Sequence, residues 1–207
     1  MSLRRGFFIT LEGPEGSGKS SQGHQLVQAL RRHGCRVAFL RDPGSTALGR
    51  ALRQVLLHSS GRLSPLTEAL LFIGGRVQLV EERILPALRR GRVVVCDRFH
   101  DATVAYQGFG GGLNVPWLER LGRRAIHGVM PSLTILLDVP SAVGFARLHR
   151  SRDRMERKAL SFHRRVRAGY LRLAKREPSR TMVVDATRGA AAIGAEIEKI
   201  VLKRLKR

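Results

Sequence analysis

Cysteine, acidic residues and long apolar segments are all scarce in this chain. Only Cys35 and Cys96 occur among the 207 residues, which argues against a disulfide framework or a cysteine-ligated metal cluster and suits reduced, buried thiols. No segment approaches the length of a membrane span, and the apolar run that begins at Phe7 stops at Glu12, too short for the core of a signal peptide. We therefore expect a cytoplasmic protein with no membrane segment.

The scarcity of acidic residues leaves a large positive charge. Asp and Glu number 16 against 38 Lys and Arg, a formal net charge of +22. Such a balance favours phosphate-bearing ligands and gives non-specific attraction to nucleic acid, although it says nothing about the fold. With 43% hydrophobic residues and no repeats or low-complexity linkers, residues 1–207 are expected to form one domain with a small lid.

The most informative stretch is a glycine-rich loop with the spacing G-x-x-x-x-G-K-[ST], whose backbone N–H groups are expected to wrap the phosphates of a nucleotide. The residues predicted to bind a nucleoside triphosphate here are Gly13, Pro14, Glu15, Gly16, Ser17, Gly18, Lys19, Ser20 and, one position later, Ser21. Lys19 is expected to reach the β- and γ-phosphates, and Ser20 to offer its hydroxyl to Mg²⁺. A strand predicted at 7–11 and a helix predicted at 20–33 argue against an ordinary glycine-rich turn.

Apolar runs and helical periods alternate along the rest of the chain. The predicted strands cover residues 7–11, 36–41, 92–97, 133–139 and 181–185. The helices between them include a long one over 65–90, a short one over 100–106 before a glycine-rich loop at 107–113, and one over 143–150. This alternation predicts an α/β P-loop NTPase fold, in which a five-stranded parallel sheet has helices on both faces and ligands at the carboxyl ends of its strands.

A P-loop alone does not distinguish kinases, GTPases and motor ATPases. The base-reading sequence N-K-x-D of G proteins is missing, which argues against a GTPase. The apolar strand at 92–97 ends in Asp97, where a parallel strand typically carries a functional residue. Asp97 is therefore the candidate for the second magnesium-side group, next to Ser20.

Further motifs identify a family. They are Asp42-Pro43-Gly44, Asp97-Arg98-Phe99, Thr103-Val104-Ala105-Tyr106-Gln107-Gly108 and Pro131–Asp138. Together they resemble the thymidylate kinase family, and the resemblance runs from Phe7 to the C-terminal helix. It implies a nucleoside monophosphate kinase that transfers the γ-phosphoryl group of ATP to thymidine monophosphate (dTMP), giving dTDP and ADP in dTTP biosynthesis. It also implies Mg²⁺ as cofactor and a homodimer packed through long helices.

The resemblance implies roles for the charged residues. Lys19 and the P-loop amides would gather the donor phosphates, with Mg²⁺ held near Ser20 and Asp97. Arg98, together with Arg41, would clamp the acceptor monophosphate, because a guanidinium matches phosphate oxygens bidentately.

Other positions would hold the nucleoside. Glu15 would accept a hydrogen bond from the sugar 3′-hydroxyl, and Tyr106 would lie where a 2′-hydroxyl would clash, which favours deoxyribose. Phe72 would stack on thymine, although its spacing alone also fits a core position. The residues that would reach the polar edge of the base are Arg76 and either Thr103 or Gln107; Arg76 taken alone would fit a solvated helix face.

Arginines after the fourth strand resemble the lid of the family, at about residues 147–156. Gly16 occupies the position where one branch of the family has an arginine, which implies that the lid stabilises the transition-state charge instead. Among the candidates Arg147, Arg150, Arg152 and Arg154, we expect Arg150 and Arg152 to have this role. Thr187 falls at the adenine-side loop of the family, and a helix N-cap is the alternative for it.

Two other functions stay open at this point. A kinase for a different pyrimidine monophosphate is one. A basic nucleic-acid-binding module that retains a P-loop fold is the other, since it would account for the net charge and the basic C-terminal helix, though not for the acceptor-site residues. The histidines that we expect at the surface rather than in catalysis are His24, His127 and His163.

Overall fold

Five parallel strands form one sheet within residues 6–148 and 152–206, which the structure, a computed structural model, describes. The strands are β1 (Phe7–Glu12), β2 (Val37–Arg41), β3 (Val93–Asp97), β4 (Leu133–Asp138) and β5 (Thr181–Asp185). Their spatial order is β2-β3-β1-β4-β5. The prediction of a five-stranded parallel sheet is confirmed, and each predicted strand agrees to within one residue at either end.

Helices connect the strands and cover the sheet. They are α1 (Lys19–Arg32), α2 (Ala47–His58), α3 (Pro65–Leu79), α4 (Leu85–Arg89), α5 (His100–Thr103), α6 (Val115–Ala125), α7 (Ser141–Ala146), α8 (Leu160–Arg176) and α9 (Ala190–Leu205). A π-helical segment over Val80–Ile84 joins α3 to α4, and another over Val104–Gly110 continues α5.

Side chains of the sheet are buried on both faces. On one face α1 and α9 pack against Ile9, Val95 and Ile135, and on the other the helix that runs from α3 to α4 packs against Phe8 and Val94. Successive residues of a strand point to opposite faces, so the residues of β3 are buried on both sides. Polar groups of β3 can therefore reach a ligand only at its carboxyl end.

The register of the central strands brings two functional segments together. Leu11 of β1 is paired with Asp97 of β3, and the N–H of Arg98 donates to the Leu11 carbonyl at 3.0 Å. Because parallel strands end at the same edge of a sheet, the loop that begins at Gly13 leaves the sheet beside Asp97 and Arg98. The positive end of α1 lies at this edge as well.

The helix after β3 is longer than the sequence predicts. The π-helical segment continues through Gly110, so the predicted loop at 107–113 is wrong over its first half. The glycines serve packing instead: a Cβ on Gly110 would lie 2.7 Å from the Phe162 ring, and a Cβ on Gly169 of α8 would lie 2.6 Å from Phe109. The helix predicted at 143–150 also differs, since α7 begins at Ser141 and ends at Ala146.

The prediction for the two cysteines is confirmed, whereas the prediction for one of the histidines is wrong. Both cysteines are free and buried, as predicted. His163 is 1% exposed and lies between the rings of Phe145 and Phe162, so the prediction of a surface position is wrong for it; α8 turns this residue inward. Within residues 6–148 and 152–206, no helix is long and apolar enough to cross a membrane.

Candidate active site

The loop between β1 and α1 surrounds the ammonium group of Lys19. Lys19 is 7% exposed, and its Nζ donates to the carbonyl oxygens of Gly13 (3.1 Å) and Pro14 (2.7 Å) and to Ser17 Oγ (3.2 Å). Burial, and next the charge of Arg98, lowers the pKa of Lys19 to about 8. The ammonium is thus protonated at neutral pH but loses its proton far more readily than a lysine in water.

A hydroxyl, a carboxylate and a guanidinium meet where α1 begins. Ser20 Oγ donates to Asp97 Oδ2 at 2.6 Å. Arg41, at the end of β2, donates from Nη2 to Ser20 Oγ at 3.1 Å, and its Nε lies 3.5 Å from Asp97 Oδ2. Mg²⁺ binds oxygen ligands and takes one or two protein groups in addition to water and phosphate oxygens. The paired oxygens of Ser20 and Asp97 fit this requirement.

Arg98 lies at the centre of the cleft, just beyond β3. Its φ of +68° is in the left-handed region, which costs a residue with a Cβ about 1–2 kcal/mol. From there Nη2 donates to both carboxylate oxygens of Glu15 (3.0 and 3.1 Å) and to Tyr106 Oη (3.0 Å), while Nη1 donates to the Gly13 carbonyl (3.2 Å) and Tyr170 Oη (3.2 Å). The unusual backbone conformation turns the guanidinium toward the P-loop.

Glu15 is ionised and serves as an acceptor within the loop. Besides the bonds from Arg98, it accepts a hydrogen bond of 2.5 Å from Tyr106 Oη. Burial raises the pKa of this carboxyl, but Arg98 and Lys19 together with the Tyr106 hydrogen bond outweigh burial and lower the pKa to about 2. The carboxylate can therefore accept a further hydrogen bond from a ligand hydroxyl at any ordinary pH.

The sequence analysis missed a layer of groups behind Arg98. Glu12, the last residue of β1, accepts hydrogen bonds from Tyr170 Oη (2.9 Å) and from the N–H of Phe99 (2.7 Å). Burial, and next the charge of Asp101, raises the pKa of Glu12 to about 7. The available signal was the one used for Asp97, a carboxylate that directly ends an apolar run.

Arg76 is almost completely buried at another part of the cleft, so its alternative interpretation as a solvated residue is wrong. Its Nε donates to Asp42 Oδ2 at 2.5 Å and its Nη2 to Thr103 Oγ1 at 2.8 Å. Nη1 has no hydrogen-bond partner within the described part of the chain. Leaving a buried charged donor unpaired is unfavourable, so Nη1 is suited to a ligand acceptor. Phe72, one turn earlier on α3, is partly exposed and lines the same cleft.

Gln107 lies one helical turn after Thr103 and bonds to a carboxylate that sequence analysis did not single out. Gln107 Nε2 donates to Glu68 Oε2 at 3.0 Å, and Gln107 Oε1 is buried without a partner among residues 6–148 and 152–206. Glu68, 1% exposed, also accepts hydrogen bonds from Arg154 Nη1 (2.7 Å) and Lys158 Nζ (2.9 and 3.0 Å). The sequence alone did not indicate this role, because Glu68 lies in the first turn of α3, where an acidic residue is common.

The segment after α7 brings an arginine to the cleft. Arg152 lines the cleft, and its guanidinium lies over the Phe145 ring, 4.6 Å from the centroid. Arg150, the other predicted lid arginine, lies outside the described residues. Arg154 is turned away toward Glu68, and its Nε donates to the Leu56 carbonyl at 2.8 Å.

Thr187 was predicted to lie on the adenine side of the site, but the structure does not bring it to the cleft. Thr187 is exposed and does not line the cleft; its Oγ1 donates to Asp185 Oδ1 at 2.7 Å, and its carbonyl accepts from Arg147 Nη2 at 3.1 Å. The N-cap of α9 is Gly189, so the alternative of Thr187 as a helix cap is wrong. The neighbouring Arg188 does line the cleft.

The P-loop touches α7 through two glycines. Gly16 has φ of +65°, and a Cβ built there would come closer than 3.0 Å to the Gly144 carbonyl oxygen. A Cβ built on Gly144 would likewise come closer than 3.0 Å to the Glu15 carbonyl oxygen. Gly16 therefore has no room for a side chain while α7 lies in this position.

These groups share one cleft of about 1080 Å³, slightly larger than the range of about 300–1,000 Å³ typical of sites for a single small molecule. The predicted site residues that line it are Glu15, Gly16, Ser17, Gly18, Lys19, Ser20, Ser21, Arg41, Phe72, Arg76, Asp97, Arg98, Thr103, Tyr106, Gln107 and Arg152. Gly13 and Pro14 lie behind Lys19 and contribute their carbonyl oxygens to it. Among lining residues that sequence analysis missed are Arg53, Asp153 and Arg188.

Comparisons with known proteins agree with one another. The sequence model of a family described as thymidylate kinase matches residues 11–197. The chain is 46% identical over 204 residues to the thymidylate kinase of Deinococcus radiodurans, covering 98% of this chain and 99% of that protein. It is 42% identical over 206 residues to the thymidylate kinase of Caulobacter vibrioides, with coverage of 98% and 99%. A crystal structure of thymidylate kinase from Ehrlichia chaffeensis superposes with a TM-score of 0.79 at 32% identity, covering 95% of this chain and 99% of that one.

Proposed function

Because the chain belongs to the thymidylate kinase family, we propose that its cleft binds ATP and dTMP together and transfers the γ-phosphoryl group from the first to the second. The products are ADP and dTDP, a step toward dTTP, and the enzyme is a nucleoside monophosphate kinase. The observation that carries this proposal is Arg98, whose guanidinium bonds the P-loop carboxylate Glu15 and the acceptor-side Tyr106 at once. Arg98 would thus lie between the donor loop and the acceptor pocket.

On the donor side, the P-loop amides and Lys19 would hold the ATP phosphates. The Lys19 ammonium donates its three N–H groups to oxygens of the loop, so at least one of these hydrogen bonds would be exchanged for a bond to a phosphate oxygen when ATP binds. Ser20 and Asp97 would hold Mg²⁺, which when bound neutralises charge on the phosphates of the donor. Breaking the Ser20–Asp97 hydrogen bond would free both oxygens for the ion.

On the acceptor side, Arg98 and Arg41 would bind the phosphate of dTMP from two directions. Arg41 approaches Asp97 and Arg98 bonds Glu15, which supports a phosphate position between the two guanidinium groups. Phosphoryl transfer depends mainly on such positioning and on neutralising the charge of the transferred group. Arg53, which lines the cleft beside Arg41, would add to the positive field.

The nucleoside would be recognised by groups that are left unpaired or ionised. Glu15 would accept the 3′-hydroxyl, and Tyr106, bonded to Glu15, would lie where a 2′-hydroxyl would have to fit. Phe72 would stack on the base. Arg76 Nη1 is a donor and Gln107 Oε1 an acceptor, which matches the C4 carbonyl and the N3–H of thymine.

Arg152, together with Arg150, would stabilise the charge on the transferred group from the lid at residues 147–156. The support for this role is that Gly16 has no space for an arginine side chain, while Arg152 lines the cleft. Such an arginine accounts for about 10³–10⁵-fold in rate in other phosphoryl-transfer enzymes.

We also propose that the enzyme works as a cytoplasmic homodimer. Large apolar side chains on α2 and α3 are exposed, among them Leu48, Val55, Leu66 and Leu70 at 43–50%. These helices pack against each other, so the side chains would present one apolar face that a second copy could cover. Light scattering on the purified protein tests this: a monomer at micromolar concentration would contradict it.

A coupled assay of ADP formation with dTMP, dUMP, dCMP and UMP as acceptors tests the main proposal. We expect the highest kcat/KM with dTMP, and loss of turnover when EDTA removes Mg²⁺. Asp97→Asn should lower kcat strongly, whereas Glu81→Gln, which likewise removes one negative charge but at an exposed position outside the cleft, is the matched control and should keep the wild-type kcat. Equal or higher turnover with another acceptor would overturn the assignment to dTMP.

A further inference from the structure

We propose that Glu68 is a positioning residue that fixes which end of the Gln107 amide faces the cleft, so that the site selects a base with a ring N–H. The inference rests on the proposed function, because it requires the base to lie against Gln107. It adds to the proposed function a residue that does not itself contact the substrate, and it gives a physical reason why the site would select one kind of base.

The first step concerns the orientation of the amide. Gln107 lies 3.0 Å from Glu68 Oε2, and an ionised carboxylate can only accept hydrogen bonds. The amide nitrogen must therefore face Glu68, which leaves the carbonyl oxygen for the cleft. That oxygen is buried and unpartnered within the described residues, and such an acceptor gains most from a ligand that donates.

The second step concerns what keeps Glu68 ionised. Burial raises the pKa of this carboxyl, but hydrogen bonds from Gln107, Lys158 and Arg154 hold the pKa below its ordinary value. A protonated Glu68 could donate to the Gln107 oxygen, and the amide could then turn over. Neither cation contacts the base, and since Arg154 and Lys158 each bond the carboxylate, we expect one of them to be enough to keep Glu68 ionised and the amide in this orientation.

Arg154 lies within the lid at residues 147–156, and Lys158 follows directly after it. The N–H of Arg154 donates to the Leu57 carbonyl at 3.0 Å, which fixes this segment to the end of α2. The Lys158 ammonium lies 4.7 Å from the centroid of the Phe162 ring, at the start of α8. Glu68 is therefore where α3, the π-helical segment and the end of the lid with the residues after it are joined.

The orientation of the Gln107 amide decides which base fits, through the pattern of hydrogen-bond donors and acceptors on the base. Thymine and uracil carry N3–H, which donates to a carbonyl oxygen, whereas N3 of cytosine is an acceptor and would face the Gln107 oxygen unfavourably. In Glu68→Gln, the new amide would turn its oxygen to Arg154 and Lys158 and its nitrogen to Gln107. Gln107 would then present its nitrogen to the base, which reverses the pattern.

The experiment measures kcat/KM for dTMP, dUMP and dCMP in the wild-type protein, Glu68→Gln and Lys158→Met. We expect the ratio of dTMP to dCMP to fall by about tenfold or more in Glu68→Gln, with the ratio of dTMP to dUMP unchanged because both bases carry N3–H. Arg76 still opposes the amino group of cytosine, so the ratio rather than the dCMP rate is the measure. Lys158→Met removes one ion pair and leaves Arg154 on Glu68, so both ratios should stay as in the wild type.

An unchanged ratio of dTMP to dCMP in Glu68→Gln would overturn the inference. The inference would also be overturned if this ratio fell in Lys158→Met by as much as in Glu68→Gln, because the cause would then be a general loosening of the packing around Glu68. Failure of the wild-type protein to use dTMP would instead overturn the proposed function. If Glu68→Gln does not fold, the double variant Glu68→Gln with Lys158→Met removes one anion and one cation together. The same two ratios then decide the question.

Discussion

Adding a single methyl group at Gly16 is expected to destabilise the protein more than the same change at Gly18, although both residues have left-handed backbones. Their φ angles are +65° and +86°, so alanine at either position is strained by about 1–2 kcal/mol. At Gly18 the new Cβ meets nothing within 4 Å, and strain is the whole effect. At Gly16 the Cβ would overlap the Gly144 carbonyl, so the backbone of the P-loop or of α7 must also move.

Forced shifts of this kind typically cost about 1–3 kcal/mol, which is the excess destabilisation that we expect for Gly16→Ala over Gly18→Ala. The assay is urea denaturation of both variants without nucleotide, with equal m-values as the check that unfolding stays comparable. Omitting nucleotide matters, since a Cβ in the P-loop could also contact bound phosphate.

Gly144→Ala supplies the reciprocal measurement. Alanine is favoured over glycine inside a helix by about 1 kcal/mol, but here its Cβ would overlap the Glu15 carbonyl. We therefore expect destabilisation where helix propensity alone predicts a gain. If Gly16→Ala loses no more stability than Gly18→Ala and Gly144→Ala is stabilising, the contact between the P-loop and α7 does not exist in solution.

The remaining predictions concern the charged groups of the cleft. Lys19→Ala and Arg98→Ala should each lower kcat by about 100-fold or more while a thermal melt still shows a folded protein; near-normal turnover in either would contradict its role. The kcat/KM for ATP should fall as pH rises through about 8, where the Lys19 ammonium loses its proton, and a flat profile to pH 10 would exclude this titration. The folded-state pKa of Glu15, about 2, lies below its ordinary 4.5, so its contribution to stability is complete above pH 4.5 and is lost as pH falls toward 2. Denaturation of Glu15→Gln should accordingly show a stability deficit that shrinks over that interval, whereas a constant deficit would assign the effect to packing. Arg152→Ala should lower kcat more than it changes KM for dTMP. Arg154→Ala should lower the free energy of unfolding more than it lowers kcat. If Arg154→Ala instead lowered kcat and Arg152→Ala lowered the free energy of unfolding, the roles assigned to the two arginines would be exchanged.

The parts of the molecule that sequence analysis predicts well are those specified by local pattern. The strands are short apolar runs rich in β-branched residues, and their ends were right to within one residue. The spacing of Gly13, Gly18 and Lys19 specifies the P-loop because each residue type answers a local requirement of backbone or charge. Carboxylates that end apolar runs were equally readable, although the rule was applied to Asp97 and not to Glu12.

The parts that it missed depend on partners distant in sequence. Glu68 is an unremarkable acidic residue of α3 until Gln107, Arg154 and Lys158 are brought to it from other elements. The glycines after Gln107 were taken as loop formers because glycine is ambiguous by itself. In the fold they allow two helices to approach closely, which no local pattern distinguishes from a turn.

The scarcity of acidic residues, the first feature of the sequence, gains a physical meaning at the site. Three of the 16 carboxylates each orient a cation that lines the cleft, in the pairs Glu15–Arg98, Asp42–Arg76 and Asp97–Arg41, and Glu68 pairs with Arg154 and Lys158 behind Gln107. A guanidinium held on one side by a carboxylate keeps its other donors at fixed positions, so an arriving phosphate or carbonyl meets preorganised groups. These four acidic residues therefore act as internal supports for cations. The excess of positive charge over the whole chain then draws anionic nucleotides toward a cleft whose own charges are already partly paired.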